Sequence, residues 1–261
     1  MYFIDVQGTL IDDLRRQPVP GAVAFIDRLN RAKVPYLVVT NNTKHSSRAF
    51  LDHLRQIGFR IPDTHYLDAL MMLEQKVARG NIAAYGSEIF LQQVARLGYT
   101  LDYHVPETVL VSVRADYASE DFAQMIGFLM RGARLVGMHD TTLYVKNAKR
   151  YPGAGAVIRL LSYAAGVPFS VVGKPSKAFY DEALRRLRLQ SPDAMFSSVT
   201  MISDDYAGDL TGAGELGMKT VLVLSGKVRP DDALVQRLRS EESGVVVYND
   251  VSEITSVKSM M

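Results

Sequence analysis

The chain opens with MYFIDVQGTL (residues 1–10), and this stretch decides how the rest of the sequence is interpreted. An apolar run ends in one carboxylate, Asp5, and a Gly-Thr turn follows at once. Such a run predicts a buried strand of an α/β sheet, and the ligands of such sheets collect beyond the carboxyl ends of the strands. Asp5 is therefore either an ordinary turn residue or the reactive group of a nucleophile loop.

The composition is that of a globular protein. The 261 residues suffice for one large or two modest domains; 48% are apolar and 22% are charged. No apolar run reaches the roughly 18 residues that span a bilayer, and the first residues form a strand instead of a secretion signal, so we expect a cytoplasmic protein without a membrane partner. The absence of cysteine excludes disulfides and thiolate chemistry, and a net charge of +2 gives no argument for nucleic acid.

Strand and helix patterns alternate at both ends of the chain. Apolar strands are predicted at 2–4 and 36–39 near the amino terminus, and at 199–202 and 221–224 near the carboxyl terminus. Short loops between them predict a doubly wound parallel sheet of the Rossmann-like α/β class. The apolar run at 169–172 is assigned to the same sheet.

The middle of the chain predicts a second α/β unit. Its later part, 138–152, has little regular pattern, and a loop of that length is usually functional or mobile. The simplest architecture is a core domain built from 1–79 and 168–261, with a second domain inserted at 80–167.

Polar residues follow four of the predicted core strands. They are Asp5, Thr40 with Asn41, Lys174, and Asp204 with Asp209. Converging carboxylates suit a hard cation such as Mg²⁺, whereas a hydroxyl, backbone N–H groups and a lysine suit a phosphoryl group. A carboxylate beside both is a candidate nucleophile. Each residue taken alone is also an ordinary turn or capping residue.

The order of these motifs resembles the haloacid dehalogenase-like (HAD) phosphohydrolase superfamily. Within it the chain is similar to subfamily IIA, the nucleotide monophosphatase and 4-nitrophenylphosphatase-like enzymes with a large inserted cap. The resemblance covers essentially the whole chain. It implies that Asp5 is the nucleophile and forms an aspartyl phosphate, that Thr40 and Asn41 hold the phosphoryl oxygens, and that Lys174 neutralises the phosphate and the nucleophile.

The resemblance also implies a cofactor and a substrate class. Asp204 and Asp209 match the motif that binds or orients Mg²⁺, to which Asp5 and the backbone carbonyl of Gln7 would contribute. The loop with His139 and Asp140 is expected to lie over the active site and to select a small phosphorylated substrate. A homodimer is one option for the assembly.

The first motif departs from the family pattern at Gln7. The family normally has a second Asp there, which protonates the leaving group and later activates water, whereas an amide exchanges no proton near neutral pH. Loss of a general acid/base typically costs about 10²- to 10⁴-fold in rate. We therefore expect a slow Mg²⁺-dependent phosphomonoesterase. The alternative is a catalytically impaired relative that binds phosphorylated ligands or a protein partner.

Another group could supply the missing proton. Asp12 and Asp13 lie close in sequence but are interpreted as turn residues, and His139 has a suitable intrinsic pKa. A smaller departure is Ser203, which stands where the family usually has Gly. It is interpreted as tolerated because serine is small.

Overall fold

The computed structural model describes residues 1–146, 149–240 and 244–254. The described residues form two compact units. The first comprises Met1–Thr40, Ala49–Leu67 and the described residues from Tyr180 onward, and the second comprises Asn41–Arg48 and Asp68–Phe179. None of the described helices is long and apolar enough to cross a membrane.

The strands and helices alternate along most of the chain. The strands are β1 (Tyr2–Ile4), β2 (Tyr36–Thr40), β3 (Tyr66–Asp68), β4 (Asn81–Tyr85), β5 (Thr100–Leu101), β6 (Thr108–Val111), β7 (Arg134–Gly137), β8 (Leu143–Lys146), β9 (Lys149–Pro152), β10 (Phe169–Val171), β11 (Thr200–Ser203), β12 (Lys219–Val223) and β13 (Val245–Tyr248). The helices are α1 (Ala22–Arg31), α2 (Ser47–Gln56), α3 (Ala69–Lys76), α4 (Glu88–Arg96), α5 (Ser119–Met130), α6 (Ala154–Ala165), α7 (Lys177–Leu187), α8 (Thr211–Glu215) and α9 (Ala233–Ser240).

The first unit is built on a sheet with the strand order β13-β12-β11-β1-β2-β3. Strand β1 pairs in parallel with β11 on one side and with β2 on the other, and β12 and β13 continue the parallel pairing. All residues of β1, β2 and β11 are buried, as their continuous apolar sequences predict. The α/β fold predicted from the sequence is confirmed, and β1, β2 and β11 end side by side.

The second unit has its own parallel sheet, with the order β10-β7-β6-β4-β5. Helices α5 and α6 pack on it through a core that includes Phe128, Ile158 and Leu161. The segment 138–152, which the sequence presents as poor in regular structure, contains the antiparallel hairpin of β8 and β9. Tyr144 and Tyr151 stack across this hairpin with ring centroids 5.5 Å apart.

Strand β10 was assigned by sequence to the core sheet, and this assignment is wrong. The strand pairs in parallel with β7 in the second unit. Its residues are only partly buried or exposed, unlike those of β1, β2 and β11. A short apolar run fits the edge of either sheet, so the pattern alone did not distinguish them. The boundaries 1–79, 80–167 and 168–261 stay a prediction, and the compact second unit takes in residues 68–79 and 168–179 as well.

The sequence pattern predicts a helix over residues 67–79, but the observed helix begins later. Residues Tyr66–Asp68 form β3, and helix α3 starts at Ala69. Asp68 is the reason, because its Oδ1 accepts the backbone N–H of Met71 at 2.9 Å and thereby caps the helix.

Candidate active site

Two carboxylates follow neighbouring strands of the first unit. The Asp5 N–H donates to the Ile202 carbonyl at 2.9 Å, which continues the ladder between β1 and β11. Asp204 follows β11 directly, and both side chains are buried. Burial, reinforced by the charge of Asp5, raises the pKa of Asp204 well above its usual value. The two carboxylates therefore repel each other in a site with little access to water.

Asp204 is held by two loops of the first unit. Its N–H donates to Thr9 Oγ1 at 3.1 Å, and its Oδ2 accepts the backbone N–H of Lys227 at 2.7 Å. A Cβ added at Gly8 or at Gly226 would lie closer than 3.0 Å to this carboxylate, so both positions need glycine. Because the Ser225 hydroxyl donates to the Gly8 carbonyl at 2.7 Å, the two loops also hold each other.

Ser203 orients Asp209, although the sequence alone assigned Ser203 no role. It lies in a π-helical turn, Tyr206–Leu210, a geometry that recurs at functional sites. The Ser203 hydroxyl donates to Asp209 Oδ2 at 2.7 Å and accepts the Asp205 N–H at 3.1 Å. A glycine at this position would offer neither contact. The hydroxyl at the end of an apolar strand, directly before two aspartates, was the available signal.

Within the first unit, Gln7 contacts Thr40, one of the residues predicted to hold the phosphoryl oxygens. The hydroxyl of Thr40, the last residue of β2, donates to Gln7 Oε1 at 2.8 Å. The main chain before the contact is fixed because the N–H groups of Leu10 and Ile11 both donate to the Val6 carbonyl. The position of the family's acid/base residue is therefore occupied by an amide whose Oε1 accepts the Thr40 hydroxyl proton.

Asp12 is a turn residue, as the sequence predicts. Its carboxylate accepts the backbone N–H groups of Leu14 and Gln17 at 3.0 and 3.2 Å, and also that of Arg15. These bonds, led by the one from Arg15, lower the pKa of Asp12. A carboxylate engaged in this way is a poor substitute for the missing acid at Gln7.

In the second unit, Asn41 and Lys174 are brought together. The Lys174 N–H donates to Asn41 Oδ1 at 2.8 Å, and Asn41 Nδ2 donates to the Lys174 carbonyl at 3.3 Å. Lys174 is only 1% exposed. The paired amide contacts fix the Gly-Lys-Pro loop to the residue that follows β2 in the chain.

His139 and Asp140 flank the same loop. The Asp140 N–H donates to the Lys174 carbonyl at 3.2 Å. The Asp140 carboxylate pairs with Arg159, whose Nη2 donates to Oδ2 at 2.8 Å, and His139 is buried with Nδ1 2.8 Å from Thr141 Oγ1. Both side chains thus have structural contacts inside the second unit, and their role toward a substrate stays a prediction.

The donor set of the first unit fits Mg²⁺. Among the described residues, no group of three or more His, Cys, Asp or Glu side chains forms a metal site by itself. Asp5 and Asp204 supply two hard oxygen donors whose repulsion a cation would relieve, and the Gln7 carbonyl is the third donor that the resemblance implies. Magnesium commonly binds to one or two carboxylates while it keeps several waters.

The first unit thus combines a parallel α/β sheet with two buried carboxylates at adjacent strand ends. Residues 2–100 match the family model described as haloacid dehalogenase-like hydrolase, and residues 171–254 match the model described as HAD-hydrolase-like. The chain belongs to the haloacid dehalogenase-like hydrolase family.

Relatives and solved structures agree with this assignment. The chain is 32% identical over 235 residues to haloacid dehalogenase-like hydrolase domain-containing protein 2 of Homo sapiens, covering 88% of this chain and 85% of that protein. It is 27% identical to 5'-nucleotidase YutF of Bacillus subtilis, covering 86% and 87%. The fold is similar to p-nitrophenyl phosphatase from Archaeoglobus fulgidus, with a TM-score of 0.79 and 23% identity over 97% of each chain.

Proposed function

We propose that this protein is a Mg²⁺-dependent phosphomonoesterase that acts on a small phosphorylated metabolite through Asp5. The observation that carries the proposal is the buried pair of Asp5 and Asp204 at adjacent strand ends. The similarity to proteins named 5'-nucleotidase and p-nitrophenyl phosphatase supports the reaction class. The inserted segment 80–167 would select the substrate.

The proposed reaction has two displacements at phosphorus. An Asp5 carboxylate oxygen bonds to phosphorus as the ester P–O bond breaks, and the leaving alkoxide takes up a proton. Water then attacks the phosphorus and releases a proton to solvent, the bond to Asp5 breaks, and phosphate leaves. Thr40, Asn41 and Lys174 would bind the phosphoryl oxygens, and Mg²⁺ would supply positive charge next to them.

Gln7 limits proton transfer in both displacements. A side-chain amide neither protonates an alkoxide nor deprotonates water near neutral pH. Substrates with acidic leaving groups, such as nitrophenol, need little protonation, so the enzyme should favour activated esters. The alternative function, binding of phosphorylated ligands or of a protein partner without turnover, would retain the same phosphate and metal contacts.

The first experiment distinguishes a phosphatase from a protein that binds phosphorylated ligands or a protein partner without turnover. Hydrolysis of p-nitrophenyl phosphate is measured with and without Mg²⁺ for the wild type and for Asp5→Asn. We expect slow, Mg²⁺-dependent turnover that Asp5→Asn abolishes. Wild-type turnover no higher than that of Asp5→Asn would reject the enzyme and favour the binding alternative.

The second experiment tests Gln7. Gln7→Asp restores a carboxylate, and Gln7→Asn is the matched control because it has the shape of Asp without a titratable proton. We expect turnover by Gln7→Asp to exceed that of Gln7→Asn and of wild type by at least about tenfold, the low end of what a general acid/base contributes. Equal rates for the two variants would mean either that the proton comes from another group or that the site is not assembled.

The third experiment looks for the intermediate. If Gln7 slows hydrolysis of the aspartyl phosphate more than its formation, wild-type protein quenched in acid during turnover should carry a phosphoryl group detectable by mass spectrometry. Asp5→Asn, quenched in the same way, should not carry the group. Unmodified wild-type protein during measurable turnover would place the slow step at formation of the intermediate.

A further inference from the structure

Lys227 lies beside the carboxylates of Asp204 and Asp205. Its backbone N–H donates to Asp204 Oδ2 at 2.7 Å, and its Nζ forms an ion pair with Asp205. This ion pair holds the Lys227 ammonium group next to the carboxylates.

Asp205 connects this ammonium to the candidate metal site. Its Oδ1 accepts the Gly208 N–H at 2.8 Å and its N–H donates to Ser203 Oγ, the hydroxyl that also binds Asp209. Asp205 is thus held at the start of the turn that carries Asp209. The positive charge on Lys227 is consequently fixed next to the segment 203–209.

We propose that Lys227 is a fixed counter-ion for the carboxylates of Asp204, Asp205 and Asp209. Its positive charge holds these carboxylates together before a divalent cation binds, and the same charge lowers the affinity for that cation. The inference rests on the proposed function, because it assumes that Asp5 and Asp204 bind Mg²⁺. Lys227 is a positioning residue, since it acts through Asp204 and Asp205.

Two physical effects follow from a fixed ammonium at this place. Without metal, it offsets the repulsion among buried carboxylates that the fold would otherwise have to tolerate. When Mg²⁺ arrives, the ammonium repels it. Removing one positive charge within roughly 8 Å of a divalent ion should tighten binding by about fivefold or more, even at the dielectric constant of water.

The test measures Mg²⁺ binding directly, by titration calorimetry of the metal-free protein. Lys227→Met removes the charge, Lys227→Gln removes it but keeps a hydrogen-bond donor for Asp205, and Lys227→Arg retains the charge. Lys33→Met is the matched control, because Lys33 is exposed and precedes β2, at the opposite edge of the same sheet. We expect about fivefold or greater tightening in Lys227→Met and Lys227→Gln, and wild-type affinity in Lys227→Arg and Lys33→Met.

Melting temperature gives a second readout that does not depend on activity. Without metal, Lys227→Met and Lys227→Gln should melt below the wild type, and saturating Mg²⁺ should raise their melting temperatures more than that of the wild type. If Lys227→Met folds only with Mg²⁺, that rescue itself supports the inference.

The outcomes distinguish this inference from the proposed function. Equal or weaker Mg²⁺ affinity in both neutral variants, with normal binding by the wild type, would overturn the counter-ion role alone. Absence of Mg²⁺ binding by the wild type and by every variant would overturn the metal site on which the proposed function depends.

Discussion

Two glycines leave room for the Asp204 carboxylate, and replacing each with alanine tests how strictly its position matters. Gly8 belongs to the loop after Asp5, and Gly226 belongs to the loop after β12. A Cβ at either position would lie closer than 3.0 Å to Asp204, a distance that real Cβ atoms essentially never show. In both Gly8→Ala and Gly226→Ala the carboxylate must therefore move.

The size of the effect follows from what Asp204 loses. Rotating the carboxylate breaks its bond to the Lys227 N–H, and a hydrogen bond to a charged group contributes about 1.5–3 kcal/mol. Gly8 also has φ of +76°, where a Cβ adds about 1–2 kcal/mol of strain. For the reaction, a displacement of about 1 Å at a catalytic group can cost about 10²-fold in rate.

Gly217→Ala is the control that isolates backbone strain. Gly217 has φ of +84°, and no described atom lies within 4 Å of its hypothetical Cβ. This variant should lose about 1–2 kcal/mol in free energy of unfolding and retain wild-type kinetics. Gly226, whose φ is not positive, isolates the steric effect, and Gly8 combines both effects.

The assays are urea unfolding and kcat/KM for p-nitrophenyl phosphate with saturating Mg²⁺. We expect Gly8→Ala and Gly226→Ala to lose about 10²-fold in kcat/KM, with Gly8→Ala the less stable of the two. Wild-type kcat/KM in Gly226→Ala would refute the reasoning, because it would mean that the carboxylate can move without consequence.

Two further predictions concern contacts inside the first unit. Glu182 accepts hydrogen bonds from Arg185 and Arg186, which lower its pKa from 4.5 to about 2. After allowance for solvent screening at the exposed Arg185, we expect Glu182→Gln to lower the free energy of unfolding by about 1–2 kcal/mol at neutral pH. A lowered carboxyl pKa stabilises the fold in full only above the ordinary pKa, so this difference should shrink as pH falls from 4.5 toward 2, and a constant difference in urea unfolding would contradict it. Ser203→Ala should destabilise the fold by about 1–3 kcal/mol, because it leaves buried Asp209 without its hydroxyl donor. Ser203→Gly should do the same, and wild-type stability and kcat in both variants would show that Ser203 is only tolerated.

Much of the first unit could be predicted from sequence because its strands are short, apolar and buried on both faces. The strand at 2–4 was predicted at its observed bounds, and the strands at 36–39 and 199–202 within one residue. Since parallel strands have their carboxyl ends at one edge, predicting the strands also predicted that Asp5, Thr40, Lys174 and Asp204 would lie at one edge of the core sheet. The topology confirms this for Asp5, Thr40 and Asp204, but the strand before Lys174 belongs to the other sheet.

The remainder depended on contacts between residues distant in the chain. The pairing of β10 with β7 is decided by which sheet edge is available, and a local apolar pattern does not contain that information. In the same way, Lys227 follows Asp204 by 23 residues. No spacing rule links a lysine in one loop to carboxylates in another.

The contact between Thr40 and Gln7 bears on why an amide stands at position 7. A hydroxyl has a single proton, so Thr40 cannot donate to Gln7 Oε1 and to a phosphoryl oxygen at the same time. If the Gln7 side-chain amide rotates by about 180°, its Nε2 donates to Thr40 Oγ1. The Thr40 proton then becomes available for a phosphoryl oxygen. An ionised carboxylate has no proton to donate in this way, and it adds negative charge close to the phosphate dianion.

We therefore expect Gln7→Asp to bind phosphate more weakly and to turn over substrate faster than the wild type. Besides raising turnover, it should raise the inhibition constant of inorganic phosphate by about fivefold, the effect expected for one additional screened negative charge close to the dianion. Gln7→Asn, which keeps a neutral amide, should retain phosphate affinity closer to that of the wild type. Unchanged or tighter phosphate inhibition in Gln7→Asp would mean that Gln7 does not assist Thr40, and that the amide limits proton transfer without any gain in phosphate binding.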